Sequence, residues 1–188
     1  MLVVGTSCSG KSIFASRLAK AVEAPYVELD ALFWLADWQE RSADEFLEGV
    51  ATATSGKTWV VDGNYRRRLE DLLWPAASGV VWLDYSFPLT FARALRRTLR
   101  RVATGERLFA GNFETFGRAF LSRESILWWV VQSHLANRVA LGARRGEDRE
   151  KQAERRWWVF RHPREAEYWL REVESARALR HAPHPESA

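Results

Sequence analysis

Apolar positions along this chain follow two rhythms. Short unbroken runs recur at Leu2-Val3-Val4, Tyr26-Val27-Glu28-Leu29, Thr58-Trp59-Val60-Val61, Gly79-Val80-Val81-Trp82-Leu83 and Arg156-Trp157-Trp158-Val159-Phe160. Runs of this length, bounded by turn residues, predict buried strands. Between them the period lengthens to that of a helix. Ser12 to Val22 reads as one, with Ile13, Leu18 and Val22 facing inward and Pro25 ending it. Ser42, with Glu45 three residues on, is a capping box that opens a second through Phe46, Leu47 and Val50. Further helices are expected from about Pro88 to Val102, from about Glu124 to Leu141, and from Pro163 to about Leu179. Residues 103–117 and 142–155 lack either rhythm and read as irregular, the first as a lid.

Five apolar strands separated by helices predict an α/β fold, a parallel sheet covered on both faces. The second, third and fourth strands run into Asp30, Asp62 and Asp84, so carboxylates gather at the carboxyl edge, where open sheets of this kind take ligands. No linker divides the chain. One domain over residues 1–180 is expected, with a lid at about 103–120 and a frayed tail over 181–188.

Composition narrows the class. The 188 residues are 47% hydrophobic and 28% charged, a globular balance that excludes wholesale disorder. A single cysteine, Cys8, excludes an internal disulfide and a cysteine-rich zinc site. The opening apolar run is too short for a signal peptide, and no stretch is long enough to span a membrane, so a cytoplasmic protein is expected. The net charge is only +4, but residues 66–107 hold nine arginines against four acids. Arginine forks pair with phosphate oxygens, which points to a phosphorylated ligand or a nucleic acid.

The strongest local signal is Gly5-Thr6-Ser7-Cys8-Ser9-Gly10-Lys11-Ser12, which satisfies G-x-x-x-x-G-K-[ST] between a strand and a helix. Glycines let the backbone curl so that successive N–H groups converge on phosphate oxygens, and the helix dipole adds positive potential. The amides of Gly5, Ser7, Cys8, Ser9, Gly10, Lys11, Ser12 and Ile13 would hold the nucleotide phosphates. Lys11 would reach the β- and γ-phosphates, and Ser12 would ligate Mg²⁺. A second Gly-Lys-Thr triplet at residues 56–58 lacks the upstream glycine and precedes a strand, so it reads as a turn.

Other residues divide the remaining chemistry. Asp62, after an apolar strand, is placed to hold the magnesium shell. Asp30 would accept a proton from a hydroxyl acceptor, or position a phosphate acceptor, or belong to the metal site; the sequence leaves these open. Asp84 reads as a capping or loop residue. Arg93, Arg96, Arg97, Arg100 and Arg101 form a basic stripe opposite an apolar stripe of Ala92, Leu95, Leu99 and Val102. Most of the ten tryptophans, Trp128-Trp129 included, read as core; Trp34 and Trp38 stand out because they follow Asp30. His134 reads as a core or surface histidine without a metal partner.

With these residues in view, the chain resembles the adenylate-kinase-related group of small P-loop proteins often labelled topology-modulation proteins or AAA-family ATPases. The likeness rests on residues 5–12, on Val27-Glu28-Leu29-Asp30-Ala31-Leu32-Phe33-Trp34, on Val60-Val61-Asp62-Gly63-Asn64-Tyr65, and on Leu83-Asp84 before the arginine helix. Gly111-Asn112-Phe113-Glu114, residues 124–129 and Pro163-Arg164-Glu165-Ala166 extend it. The resemblance implies strand order 2-3-1-4-5. It also implies that Asp62, Gly63, Asn64, Tyr65 and Arg66 border the acceptor, with Arg66 in the place of a phosphate-holding arginine. Arg97 and Arg101 would correspond to lid arginines, and Arg161-His162-Pro163-Arg164 to the segment beside the adenine.

The expected activity is therefore an ATP- and Mg²⁺-dependent phosphotransfer to a small acceptor held near Asp30, Trp34 and residues 62–66. Arg66 favours a nucleotide acceptor and Asp30 a hydroxyl one. The competing expectation is a nucleic-acid-associated or regulatory P-loop ATPase that uses the basic block from Arg66 to Arg107.

Overall fold

The computed structural model describes residues 1–112 and 125–180; for Arg66, Arg67 and Arg180 only the backbone is described. Five strands, β1 (Leu2–Gly5), β2 (Tyr26–Glu28), β3 (Val60–Asp62), β4 (Gly79–Leu83) and β5 (Arg156–Phe160), form one parallel sheet in the order β2-β3-β1-β4-β5. The α/β class and the 2-3-1-4-5 order are those expected.

Strand alternation distributes the core to both faces. Val3, Val60, Val81 and Leu83 meet α1 (Lys11–Ala21) and α7 (Pro163–Arg180) through Phe14, Leu18, Ala166 and Leu170. Leu2, Val4, Val61, Val80 and Trp82 face α3 (Ala43–Ala53), α4 (Arg66–Ala76) and α6 (Ile126–Glu150) through Phe46, Val50, Leu69, Leu73, Trp74 and Leu141. Leu18 and Leu170 are completely enclosed, each worth about 1.5–3 kcal/mol of burial. A short helix, α2 (Leu29–Phe33), follows β2, and α5 (Phe87–Thr104) packs along α6. The N-cap half of the expected capping box is present: Ser42 Oγ accepts from the Glu45 N–H at 3.3 Å and opens α3, while the Glu45 carboxylate accepts from the Ser42 hydroxyl at 2.8 Å. Gly105, left-handed at φ 60, closes α5.

Several expectations are corrected. Ile13 and Val22 are exposed, and α1 instead buries Phe14, Ala15, Leu18, Ala19 and Ala21, because alanines let this helix lie close against the sheet. β2 stops at Glu28, so Asp30 sits in the first turn of α2 and not at a strand end. The helix α4 was hidden in the sequence by three leading arginines and Pro75. Residues 142–150 are helical, continuing α6. Arg144 pairs with Glu147 at 3.7 Å and with Asp148 at 3.9 Å along that extension, and Arg155 pairs with Asp148 at 2.7 Å.

The apolar stripe proposed for α5 is reversed. Leu95 and Leu99 face solvent, while Thr90, Ala94 and Thr98 are buried. Small residues permit the close approach that leucines would block. Trp128 and Trp129 are likewise outward, 44% and 55% exposed. Of the expected lid, residues 113–120 lie outside the described residues, as does the 181–188 tail. Among the described residues no helix is long and apolar enough to cross a membrane.

Candidate functional site

The β1–α1 loop has the curled backbone its glycines permit. Gly5 adopts φ +148, and a Cβ there would lie 2.7 Å from the Leu83 carbonyl and 3.1 Å from Ser9 Oγ, so only glycine fits. Gly10, at φ +95, begins α1, and Cys8 is also left-handed at φ 67. Lys11 folds back over the loop and donates from Nζ to the Thr6 carbonyl at 3.3 Å. Three outside groups brace this loop. Asn64 accepts from the Gly5 N–H at 3.2 Å and donates through Nδ2 to the Gly5 carbonyl, using both ends of its amide on the backbone of one residue. Arg93 donates from Nη1 to the Ser9 carbonyl at 2.9 Å, and its guanidinium lies 5.3 Å from the Tyr85 ring centre. His134 Nδ1 lies 3.2 Å from Thr6 Oγ1, both residues buried.

Beside the start of α1 the sheet gathers carboxylates. The parallel register places Glu28 directly opposite Asp62. Asp62 is 4% exposed; its Oδ2 accepts from Tyr26 Oη at 3.5 Å, and its Oδ1 is buried without a hydrogen-bond partner. Burial lifts Asp62 above the usual carboxylate range, against the pull of Lys11 and the Ser12 hydroxyl. Glu28 is raised for the same first reason, with Asp62 and Asp30 adding repulsion. Among the described residues no three His, Cys, Asp or Glu side chains form a metal-chelating group on their own. Ser12, Asp62 and Glu28 nevertheless supply an all-oxygen donor set, the chemistry that suits a hard divalent cation completed by phosphate and water oxygens.

Asp30 lies farther along the same edge. Tyr65 donates to its Oδ1 at 2.7 Å, and burial with the neighbouring Asp30 charge pushes the phenol well above its ordinary value, so it remains a donor. The tyrosine ring packs on Phe33 and Phe46 at 4.7 and 5.1 Å. Gly63 is forced by close approach: at φ +147, a Cβ there would meet Leu29 at 2.8 Å. Trp34 packs edge-on against Phe33 and Trp38 and leads into a 3-10 turn over Ala36–Trp38. Asn112 ties that turn to residues 108–112: it accepts from the Trp38 N–H at 3.0 Å and donates to the carbonyls of Leu35 and Phe109, both at 2.8 Å.

The remaining expected residues are spread along the same rim. Arg97 and Arg101 are half-buried on successive turns of α5; Arg97 Nε is buried without a hydrogen-bond partner, and Arg101 Nε lies 3.8 Å from Glu106. Asp84 pairs with Arg138 at 3.1 Å, a loop residue held by an ion pair. Pro163 is the first residue of α7, and the N–H groups of Arg161 and His162 donate to Glu165 at 3.0 and 3.2 Å. Arg66 begins α4 immediately after Tyr65; its side chain lies outside what the structure describes. The structure thus brings Lys11, Ser12, Asp62 and Asp30 together with Glu28 and Tyr26, which the sequence reading passed over. Strand register was the missing signal: Glu28 is an acid at the last position of its strand, as Asp62 is of its own.

No protein-family model matches the chain, and no curated protein does. Among solved structures it is similar to a gluconokinase from Sinorhizobium meliloti 1021, at 19% identity and a TM-score of 0.49, covering 95% of this chain and 90% of that one. The fold assignment stands on the strand order and the curled loop of this chain itself.

Proposed function

We propose that this protein is an ATP-dependent phosphotransferase that binds ATP with Mg²⁺ on the loop from Gly5 to Ser12 and passes the γ-phosphoryl group to a small acceptor. The observation that carries the reading is the buried Asp62 carboxylate, one oxygen without a partner, set beside Ser12 and opposite Glu28 at the foot of that loop. An unpaired carboxylate oxygen is costly inside a protein and is tolerated where a cation completes it.

The loop amides and Lys11 grip the polyphosphate, Lys11 leaving the Thr6 carbonyl for the β- and γ-phosphates. Ser12 and Asp62, with Glu28 behind them, hold the divalent ion, which when bound offsets charge on the phosphates. Asp30, oriented through Oδ1 by Tyr65, keeps its other oxygen for the acceptor: it takes the proton of a hydroxyl or fixes the acceptor's position. Trp34 and residues 63–66 border that acceptor. Arg97 and Arg101 belong to the side from which charge building up on the transferring group is offset. Arg161 and Pro163 border the base.

The likeness to the topology-modulation group belongs to this proposal and rests on the residues quoted above. A nucleic-acid-associated ATPase is not favoured. Within the basic block, Arg93 is turned to the Ser9 carbonyl, Arg100 lies 2.9 Å from Glu106, and Arg68 lies 3.0 Å from Glu40.

The test is ATP consumption against nucleoside monophosphates, nucleosides, sugars and aminoglycosides, with Lys11→Ala as the blank. Stimulation by one acceptor class, lost in Lys11→Ala, is expected; stimulation by DNA or RNA alone would reverse the assignment. Asp62→Asn is expected to abolish Mg²⁺-dependent thermal stabilisation by ATP. It should also raise the melting temperature of the ligand-free protein at neutral pH, since a buried carboxylate with a raised pKa is stabilising only while protonated and loses that contribution as pH rises.

A further inference from the structure

The outer face of α6 has no counterpart in the chemistry above. Trp128, Val131, Leu135, Val139 and Gly142 succeed one another at spacings of three, four, four and three residues, which keeps them on one side of the helix. Trp128, Trp129, Val131, Leu135 and Val139 are 44%, 55%, 43%, 68% and 63% exposed. From residue 128 to 143 that side carries one polar residue, Gln132; Arg138, at its border, is engaged with Asp84. A solvated helix surface of this kind is ordinarily charged, and a contiguous apolar patch marks a docking site.

We propose that this face is the interface of a homodimer, formed by α6 packing antiparallel on α6 of a second copy. Residue size along the stripe argues for a second copy over any other occupant. Bulk is concentrated at one end, in Trp128 and Trp129, and absent from the other, at Gly142, Ala143 and Gly146. A two-fold axis between Leu135 and Ala136 sets Trp128 against Ala143, Trp129 against Gly142, and Leu135 against Ala136. Trp128, Trp129, Leu135 and Val131, the last against Ala140, each then meet a small residue, and Val139 lies against Gln132; such self-complementarity is what an isologous contact requires. Area supports the same occupant: the five large side chains together expose roughly 500–600 Å², so two copies bury about 1,100 Å² from these alone, at the lower bound for a specific interface. The stripe itself lacks charge, so it selects neither a nucleic acid nor an anionic membrane.

Sedimentation velocity over a concentration series is the first measurement. The wild-type chain is expected at twice its 21.7 kDa mass, with Leu135→Arg shifting it to monomer and weakening association by at least about 30-fold. Unchanged far-UV circular dichroism and ATP binding in Leu135→Arg show that the variant is folded. Leu135→Cys, beside the axis, is expected to yield a covalent dimer on mild oxidation, whereas Tyr168→Cys, 68% exposed on α7, is not. A wild-type protein that stays monomeric, with or without binding to lipid vesicles, would overturn the proposal. So would a dimer indifferent to Leu135→Arg, or equal cross-linking at both cysteines.

Discussion

Two side chains set the condition of the phosphate loop. Asn64 spends its whole amide on the backbone of Gly5, so an apolar substitute leaves the N–H and the C=O of that residue without this partner. Asn64→Leu is expected to cost about 1–3 kcal/mol of stability and to weaken ATP binding at least about tenfold, read by urea melts and calorimetry. His134 holds Thr6 from the other side. Burial depresses its pKa below the ordinary 6.5, with Arg138 acting in the same direction and Asp84 opposing. The folded protein therefore binds fewer protons than the unfolded chain between the depressed value and 6.5. Stability is complete above that window and falls as the solution is acidified through it. His134→Gln is expected to flatten the melting temperature against pH in this range, while the wild type loses stability with each step toward acid.

At the scale of elements, α5 gives the clearest lesson. Leu95 and Leu99 point to water, while Thr90, Ala94 and Thr98 point inward. Ala94→Leu is expected to destabilise by about 1–3 kcal/mol through overpacking, whereas Leu99→Ser, at 52% exposure, should change stability by less than about 0.5 kcal/mol; paired chemical melts decide between them. Hydrophobic periodicity could not reveal this, because it assumes that the larger apolar residue is the buried one. Between α1 and α7 the join is ionic. Arg17 reaches Glu167 at 2.7 Å and Glu174 at 2.9 Å, and Arg17, followed by Arg171, holds the Glu167 carboxyl down to about 2. That contribution is present above the ordinary carboxylate value of 4.5 and is lost as pH falls toward about 2. Both carboxylates are more than a third exposed and Arg17 is 33% exposed, so Arg17→Met should cost no more than about 1 kcal/mol at neutral pH and close to nothing at about pH 2, as thermal melts at the two conditions would show.

For the whole molecule, the strands and the phosphate loop were legible because apolar runs and the Gly-x-x-x-x-Gly-Lys-Ser signature are local features, whereas the strand order followed only from the family resemblance. The loop's braces were not, since Arg93 and His134 reach it from 84 and 128 residues away in sequence. Glu28 was passed over until register set it opposite Asp62. Ligand linkage gives the global readout: saturation with Mg²⁺ and ATP at about 100 times the dissociation constant adds roughly 2.7 kcal/mol. For a chain of this size that raises the melting temperature by about 5–10 °C, and Lys11→Ala should erase the shift in a calorimetric scan. One geometric fact sets this readout apart from the outside of the molecule. His134 and Leu135 are consecutive in α6, one touching Thr6 and the other facing outward. Neighbouring side chains on a helix project about 100° apart, so the outer surface can be rebuilt at Leu135 while the wall of the cradle in which a triphosphate would lie keeps its hold through His134.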